Sequence, residues 1–472
     1  MRIEVPTVVE PAEKLGRVHF IGVGGAGLSA IARIMAQRGI TVTGSDARDS
    51  ELLGALRAEG IQCFVGHKAS HVDGADTVIA STAVREDNPE IVQTRRLGLR
   101  LYPRSAGLQS LMLGRRVLAV AGTHGKTTTT SMLTMALRRA GADPSYAIGA
   151  EVAGLGGNAH DGAGEIFVAE ADESDGAFLI YEPNGAVVLN VDADHLDNYG
   201  TLEAYQDAFV TFLDRIGDYL VVCVDDPGAA RLGDLADARG LRTVRVGTTA
   251  AADVQATGLR NAGASTSFEV TVSGAAVGTV ALQVPGTHYA LDALAALAAG
   301  LQEGYAFGDL AAGLAEHAGA RRRMELVGEA AGVRVYDSYA HHPTEIRGDL
   351  QAARTLTAGG RLVVCYQPHL ASRTRVFGAE MGHELSAADV VVVTEIYLAR
   401  EDPDPAVTSA LVLDAVTLGP ERVHVGAAVS GLPEQLAAIV RPGDLVLTLG
   451  AGDVTTVAPL LLALLRRGGV TP

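Results

Sequence analysis

Long apolar runs are missing from this chain of 472 residues. The longest, Leu460 to Leu465, follows Pro459 and falls well short of the roughly 20 residues that span a bilayer. The opening MRIEVPTVVEPAEK holds acids and no apolar core of signal-peptide length, so a cytoplasmic protein without membrane insertion is predicted. Cysteine is scarce. Cys63, Cys223 and Cys365 lie far apart without CxxC spacing, so neither a disulfide framework nor a zinc site is suggested, and buried reduced thiols are expected. Positive charge is short as well: a formal charge of -17 excludes a nucleic-acid surface, which needs a cationic face that releases counterions. Lysine is nearly absent, occurring only as Lys14, Lys68 and Lys126 while arginine fills most other basic positions.

What is present describes a globular α/β chain. Apolar residues make up 48%, enough for a large core, and the length exceeds what one core organises, so three domains are predicted. The stretch 17–46 reads strand, glycine turn, helix, strand, and further alternation suggests a small Rossmann-like parallel sheet over 1–113. A second start at RVLAVAGTHGKTTTTSMLTMALRRAG opens a P-loop α/β ATPase-like domain over 114–318, with antiparallel hairpins from about 254 to 284. Strand and helix alternate again over 319–472, giving a C-terminal Rossmann-like domain.

The retained Lys126 lies in GTHGKT, between an apolar strand and a helix. Backbone N–H groups of Gly122, Thr123, His124, Gly125 and Thr128 would converge there on an anion, Lys126 would add a compact charge, and Thr127 would offer its hydroxyl to Mg²⁺. Val120 stands where the common phosphate-loop pattern has its first glycine, so this is a variant loop. Two apolar strands follow. Glu170, Asp172, Glu173 and Asp175 crowd the end of one, and Asp192, Asp194, His195 and Asp197 crowd the end of the next. That many acids need compensation, which Mg²⁺ carried by ATP supplies through hard oxygen ligands. His195 alone reads as a metal ligand, a substrate contact or a packed histidine.

Near the N-terminus, Gly22, Gly24, Gly25, Ala26 and Gly27 form GVGGAG after a strand, with Asp46 closing the next strand. Alone this suggests a dinucleotide and hydride transfer, yet its physics asks only for a diphosphate, and a redox enzyme needs neither the second phosphate loop nor a third αβ segment. A P-loop ATPase that drives motion is the alternative from another class.

With GGAGLS, AGTHGKTTTT, EADESD, DADHLD, YAHHPTE and YQPH in this order, the chain resembles the Mur ligases over almost its whole length. The resemblance implies ATP-dependent joining of L-alanine to UDP-N-acetylmuramate through an acyl phosphate, with Mg²⁺ or Mn²⁺, by a monomer or homodimer engaged in peptidoglycan synthesis. It places Gly24 to Gly27, Asp46, His67 and Ser81 on the UDP-sugar, and Lys126, Thr127, His288, Arg322 and Asp337 on ATP, with Arg323 beside Arg322 among the residues that close on nucleotide and amino acid. Thr127, Glu170 and His195 fall on the metal, and Tyr339, His341, His369 and Arg373 on the amino acid. Lys126, Glu170, His195, Asp337 and His341 are the expected catalytic set.

Some positions depart from the family pattern. FQPHRYTR reads YQPHLASR here, with Leu370 and Ala371 replacing a basic and an aromatic side chain, and GxHNxxN reads GTHYALDA, with Tyr289 and Asp292 in place of asparagines. No lysine follows Lys126, which excludes a carbamylated lysine as a metal ligand. Within the family the rival is the ligase that attaches a tripeptide to the same sugar nucleotide, and GGAGLS favours the L-alanine enzyme.

Overall fold

A computed structural model describes residues 3–468 except 82, 175 and 400, and leaves the side chain of Asp197 undescribed. Asp175 and the Asp197 side chain therefore lie outside the described residues.

The first sheet comprises β1 (Val18–Ile21), β2 (Val42–Asp46), β3 (Gln62–Val65), β4 (Thr77–Ala80) and β5 (Arg100–Pro103) in the order β3-β2-β1-β4-β5. All its pairings are parallel. Strand order reverses beside β1, so the glycine turn after Ile21 opens at the switch point where such sheets bind ligands.

The central sheet has ten strands: β6 (Arg116–Ala121), β7 (Ser145–Val152), β8 (Gly157–His160), β9 (Ile166–Glu170), β10 (Gly185–Val188), β11 (Tyr219–Cys223), β12 (Arg242–Gly247), β13 (Val254–Ala262), β14 (Ser265–Val272) and β15 (Ala275–Leu282). β6 lies between β9 and β10, parallel to both, with Val120 opposite Glu170 and Ala121 opposite Val188. This adjacency brings the two acid-bearing strand ends to either side of the phosphate loop. The predicted hairpins are β13 to β15, paired antiparallel. The β7–β8 hairpin was not evident in the sequence, where glycines interrupt any alternation.

The side-chain period of two divides β6 between two cores. Leu118 and Val120 join the cluster that continues into the third sheet, while Val117, Ala119 and Ala121 join the one shared with the first. Burial at the β6 core is nearly complete, each such side chain contributing about 1.5–3 kcal/mol for the larger aliphatics.

The third sheet comprises β16 (Glu325–Ala330), β17 (Val333–Ser338), β18 (Leu362–Tyr366), β19 (Val390–Val393), β20 (Val423–Val425) and β21 (Leu445–Leu449), in the order β16-β17-β21-β18-β19-β20. Only the edge strand β16 is antiparallel. All three cysteines are free thiols, but Cys63 is only half-buried, on the exposed edge strand β3, unlike Cys223 and Cys365. Among the described residues no helix is long and apolar enough to cross a membrane.

Candidate active site

The phosphate loop turns from β6 into the helix Lys126–Arg139 through two glycines with positive φ, Gly122 at 134° and Gly125 at 83°. A Cβ on Gly125 would stand 2.5 Å from a carboxylate oxygen of Asp292, so the position combines a left-handed backbone with a close approach that only glycine permits. The first helical N–H groups thus open onto the ends of β9 and β10.

Lys126 is held by the loop it belongs to. Its ammonium donates to the carbonyls of Gly122 at 2.7 Å and Thr123 at 3.0 Å, and to Glu173 at 2.9 Å. Burial opposes the charge, and Glu173, Asp172 and Glu170 overrule it, raising the ammonium pKa. Thr127 donates to both carboxylate oxygens of Glu170, at 3.0 and 3.1 Å, and the N–H of Gly149 donates to one of them at 2.8 Å. These are hard oxygen donors converging beside a phosphate loop, a set that suits Mg²⁺.

His195, at a φ of 54°, sits beside a different acid: its Nε2 is 3.4 Å from Glu173 and 3.6 Å from Asp194. Burial would lower its pKa, and the bond to Glu173 together with the charge of Asp194 raises it instead. Glu173 therefore links Lys126 to His195. The sequence placed it in an acid-rich stretch without distinguishing it, because adjacency to both partners comes only from folding.

A cavity of about 260 Å³ opens against the loop, lined by His124, Gly125 and Thr128, by His288, Tyr289 and Asp292 of the helix Thr287–Gln302, and by Arg323, Glu345 and Asp349 of the C-terminal domain. Burial pushes Asp292 up to about 8, against the charges of Arg323 and His124. It pushes Asp349 up to about 7 and His288 down to about 4. Of the two expected arginines, Arg323 lines this cavity and Arg322 does not. Arg322, at φ 59°, donates to the carbonyls of Gly450 and Gly452 and faces Asp337 at 3.4 Å. Asp337 is buried and takes hydroxyls from Thr448 at 2.5 Å and Thr455 at 2.7 Å, so these two expected ATP contacts are engaged within their own domain, away from the cavity.

The C-terminal set gathers around two acids. Glu345 accepts from the N–H of His341 at 3.0 Å and faces the His341 ring at 3.2 Å, His124 at 3.4 Å and Arg323 at 4.0 Å. Burial alone would raise the Glu345 pKa, and His341, His124 and Arg323 hold it well below its ordinary value. Arg373 directs Nε and Nη2 to Asp194 at 3.1 and 2.8 Å, and Nη1 toward His369 at 3.1 Å. Its fork thus grips a carboxylate of the central domain. Tyr339 lies under the guanidinium groups of Arg322 and Arg323, 4.8 and 5.2 Å from its ring centre. Leu370, where the family pattern changes, precedes the helix Ala371–Leu385 at φ 68°.

At the N-terminal sheet, the N–H of Gly24 donates to Asp46 at 2.9 Å, and a Cβ on Gly22 would lie 3.2 Å from that of Ser81, so the turn, Asp46 and Ser81 do meet. Gly25 precedes the helix Ala26–Gln37, which Ala26 and Gly27 begin. His67 lies apart from the turn contacts, 3.2 Å from the Ser45 hydroxyl and 3.5 Å from the buried Glu90. Arg104, missed in the sequence, packs against Gly27 and binds Asp172 at 2.7 Å, joining the turn to the acids beside Lys126.

Three family models match in order: residues 17–116 the Mur ligase family catalytic domain, 120–300 the Mur ligase middle domain, and 322–452 the Mur ligase glutamate ligase domain. The chain is 59% identical over 467 residues to the UDP-N-acetylmuramate–L-alanine ligase of Nocardioides sp., covering 98% of this chain and 100% of that protein. It is 52% identical to the corresponding ligase of Acidothermus cellulolyticus, over 97% and 96% of the two chains. Among solved structures, the UDP-N-acetylmuramate-alanine ligase of Thermotoga maritima superposes with a TM-score of 0.82 at 29% identity, covering 96% of this chain and 99% of that one.

Proposed function

The chain belongs to the Mur ligase family, and on that premise we propose that it joins L-alanine to the lactyl carboxylate of UDP-N-acetylmuramate, with ATP converted to ADP and phosphate. The observation that carries the reading is identity of 59% across the full length of a relative with that activity, on a chain whose phosphate loop has its lysine, threonine and flanking acids in register.

The γ-phosphoryl group moves to the lactyl carboxylate, giving an acyl phosphate, and the amine of L-alanine then displaces phosphate. The loop N–H groups and Lys126 hold the phosphates, and their preorganised charge stabilises what builds up during transfer. Thr127 and Glu170 would hold Mg²⁺, while Glu173 ties His195 to Lys126 beside them; the ion supplies charge neutralisation on the phosphate oxygens. The N-terminal turn and Asp46 take the diphosphate and sugar nucleotide, and Arg104 carries contact from there to Asp172. His369 and the Arg373 Nη1 beside it face the alanine carboxylate, while Tyr339 and His341 border the same space. Domain contacts such as Arg373 with Asp194 exclude water from the acyl phosphate. The reaction takes place in the cytoplasm, in units bounded near residues 113 and 318.

Ligation assays offering L-alanine, glycine, L-serine and the tripeptide L-alanyl-γ-D-glutamyl-meso-diaminopimelate in parallel test the assignment. L-Alanine should give the highest kcat/KM, by about 10-fold or more over glycine, since one methyl discriminates by about 1–3 kcal/mol. Preference for the tripeptide would overturn it.

A further inference from the structure

We propose that His124, Asp192 and His342 form a site for a divalent cation of the zinc class, separate from the Thr127–Glu170 pair, which ties the central domain to the C-terminal one.

The three side chains come from the phosphate loop, the segment after β10 and the residue preceding the helix Pro343–Leu356. One ligand atom from each lies within 4.8 Å of the others. His124 Nε2 is 3.5 Å and His342 Nδ1 3.8 Å from the same Asp192 oxygen. Around a tetrahedral zinc with bonds of about 2.0–2.2 Å the donors stand roughly 3.3–3.6 Å apart, so the two contacts to Asp192 are already near that spacing and binding requires the two imidazoles to close toward each other.

The far sides of both rings are engaged as ligating histidines require. His342 Nε2 lies 3.0 Å from the carbonyl of Ala193, which can only accept, so that nitrogen carries the proton and Nδ1 keeps its lone pair, which takes a long bond of 3.4 Å from the Thr344 N–H at the helix cap and which an ion would take over beside Asp192, 3.8 Å away. His124 Nδ1 faces Glu345 at 3.4 Å, while its Nε2 is buried with no hydrogen-bond partner. A carboxylate behind one imidazole and a carbonyl behind the other is the outer arrangement that orients metal-binding histidines. The Thr344 hydroxyl, 2.6 Å from Asp192, fixes the carboxylate in the same way.

The donor set decides the ion. Two imidazoles and one carboxylate suit zinc and its late first-row neighbours, whereas Mg²⁺ prefers oxygen ligands throughout. Three protein ligands leave a fourth position, and His124 and Asp192 both line the cavity, so that position opens toward it. Binding displaces the proton that His124 otherwise shares with its acidic neighbours. Because His124 and Asp192 belong to one domain and His342 to the other, an ion here holds them together.

Titration of the full-length protein with Co²⁺, read by its visible absorption, tests the site, with Zn²⁺ and Mg²⁺ as competitors. One equivalent of Co²⁺ should give the intense band of tetrahedral coordination, removed by stoichiometric Zn²⁺ and unaffected by millimolar Mg²⁺. His342→Asn, which keeps a helix-capping acceptor, and Asp192→Asn should each weaken binding by about tenfold or more, while Glu170→Gln should leave it unchanged. A spectrum without the tetrahedral band, or one lost in Glu170→Gln and retained in His342→Asn, would overturn the proposal and leave a proton on His124 as the occupant of this cluster.

Discussion

Asp194 and Asp292 are both buried acids within the same interdomain region, yet their environments drive them in opposite directions. Burial works against ionisation at each. Around Asp194 the guanidinium of Arg373 and the neighbouring histidines overcome it and hold the carboxyl well below the ordinary range. Around Asp292 the charges of Arg323 and His124 do not, and the carboxyl stays protonated up to about 8. The difference teaches that the phosphate side of the cleft is built from compensated charges, whereas the cavity beyond it adds Asp292, Asp349 and His288, which desolvation pushes toward their neutral forms.

Breaking the charged side should have the largest effect. Lys126→Ala removes the cation meant for the phosphates and abandons Glu173, so single-turnover assays should show the transfer rate falling by about 10²–10³-fold or more. Retention of wild-type turnover would remove the loop from the reaction. Arg373→Met strips Asp194 of its partner and should destabilise the protein by about 3–5 kcal/mol in urea unfolding, because a buried carboxylate is then left unpaired.

The neutral side yields a pH effect. A carboxyl raised from 3.8 to about 8 requires the folded state to hold a proton that the unfolded chain releases, so Asp292 costs stability increasingly as pH rises through that interval. Asp292→Asn lacks this slope, which cannot exceed about 1.4 kcal/mol per pH unit. Its stability relative to the parent, from unfolding at pH 5.5 and 7.5, should improve toward the higher pH. A constant difference would place Asp292 among the ionised acids. Arg245→Gln sets the lower bound: its partners Asp234 and Asp237 are exposed, and the change should cost less than about 1 kcal/mol.

The sequence exposed what local backbone chemistry encodes. The glycine turn after β1 and the loop from Gly122 to Thr128 are contiguous, so their residue order already specifies a strand, a tight turn and a helix. Glu173, Glu345 and Arg104 stayed hidden for the opposite reason. Each acquires its importance from a residue far along the chain, Lys126, His124 or Asp172, and nothing in an acid-rich stretch or a helix-capping glutamate distinguishes the one that will face it. Arg322 and Arg323 show the finer limit: two adjacent arginines are equivalent in the sequence, and the left-handed backbone at Arg322 sends only the second into the cavity. Likewise, the wide spacing of the cysteines spoke only against a cysteine-based zinc site, and the two histidines that face Asp192 are 218 positions apart.

The most direct measurement is phosphate release from ATP with each substrate omitted in turn. Release should require both UDP-N-acetylmuramate and L-alanine and should match, mole for mole, the ligated sugar peptide; sustained hydrolysis with ATP alone would contradict the ligase account.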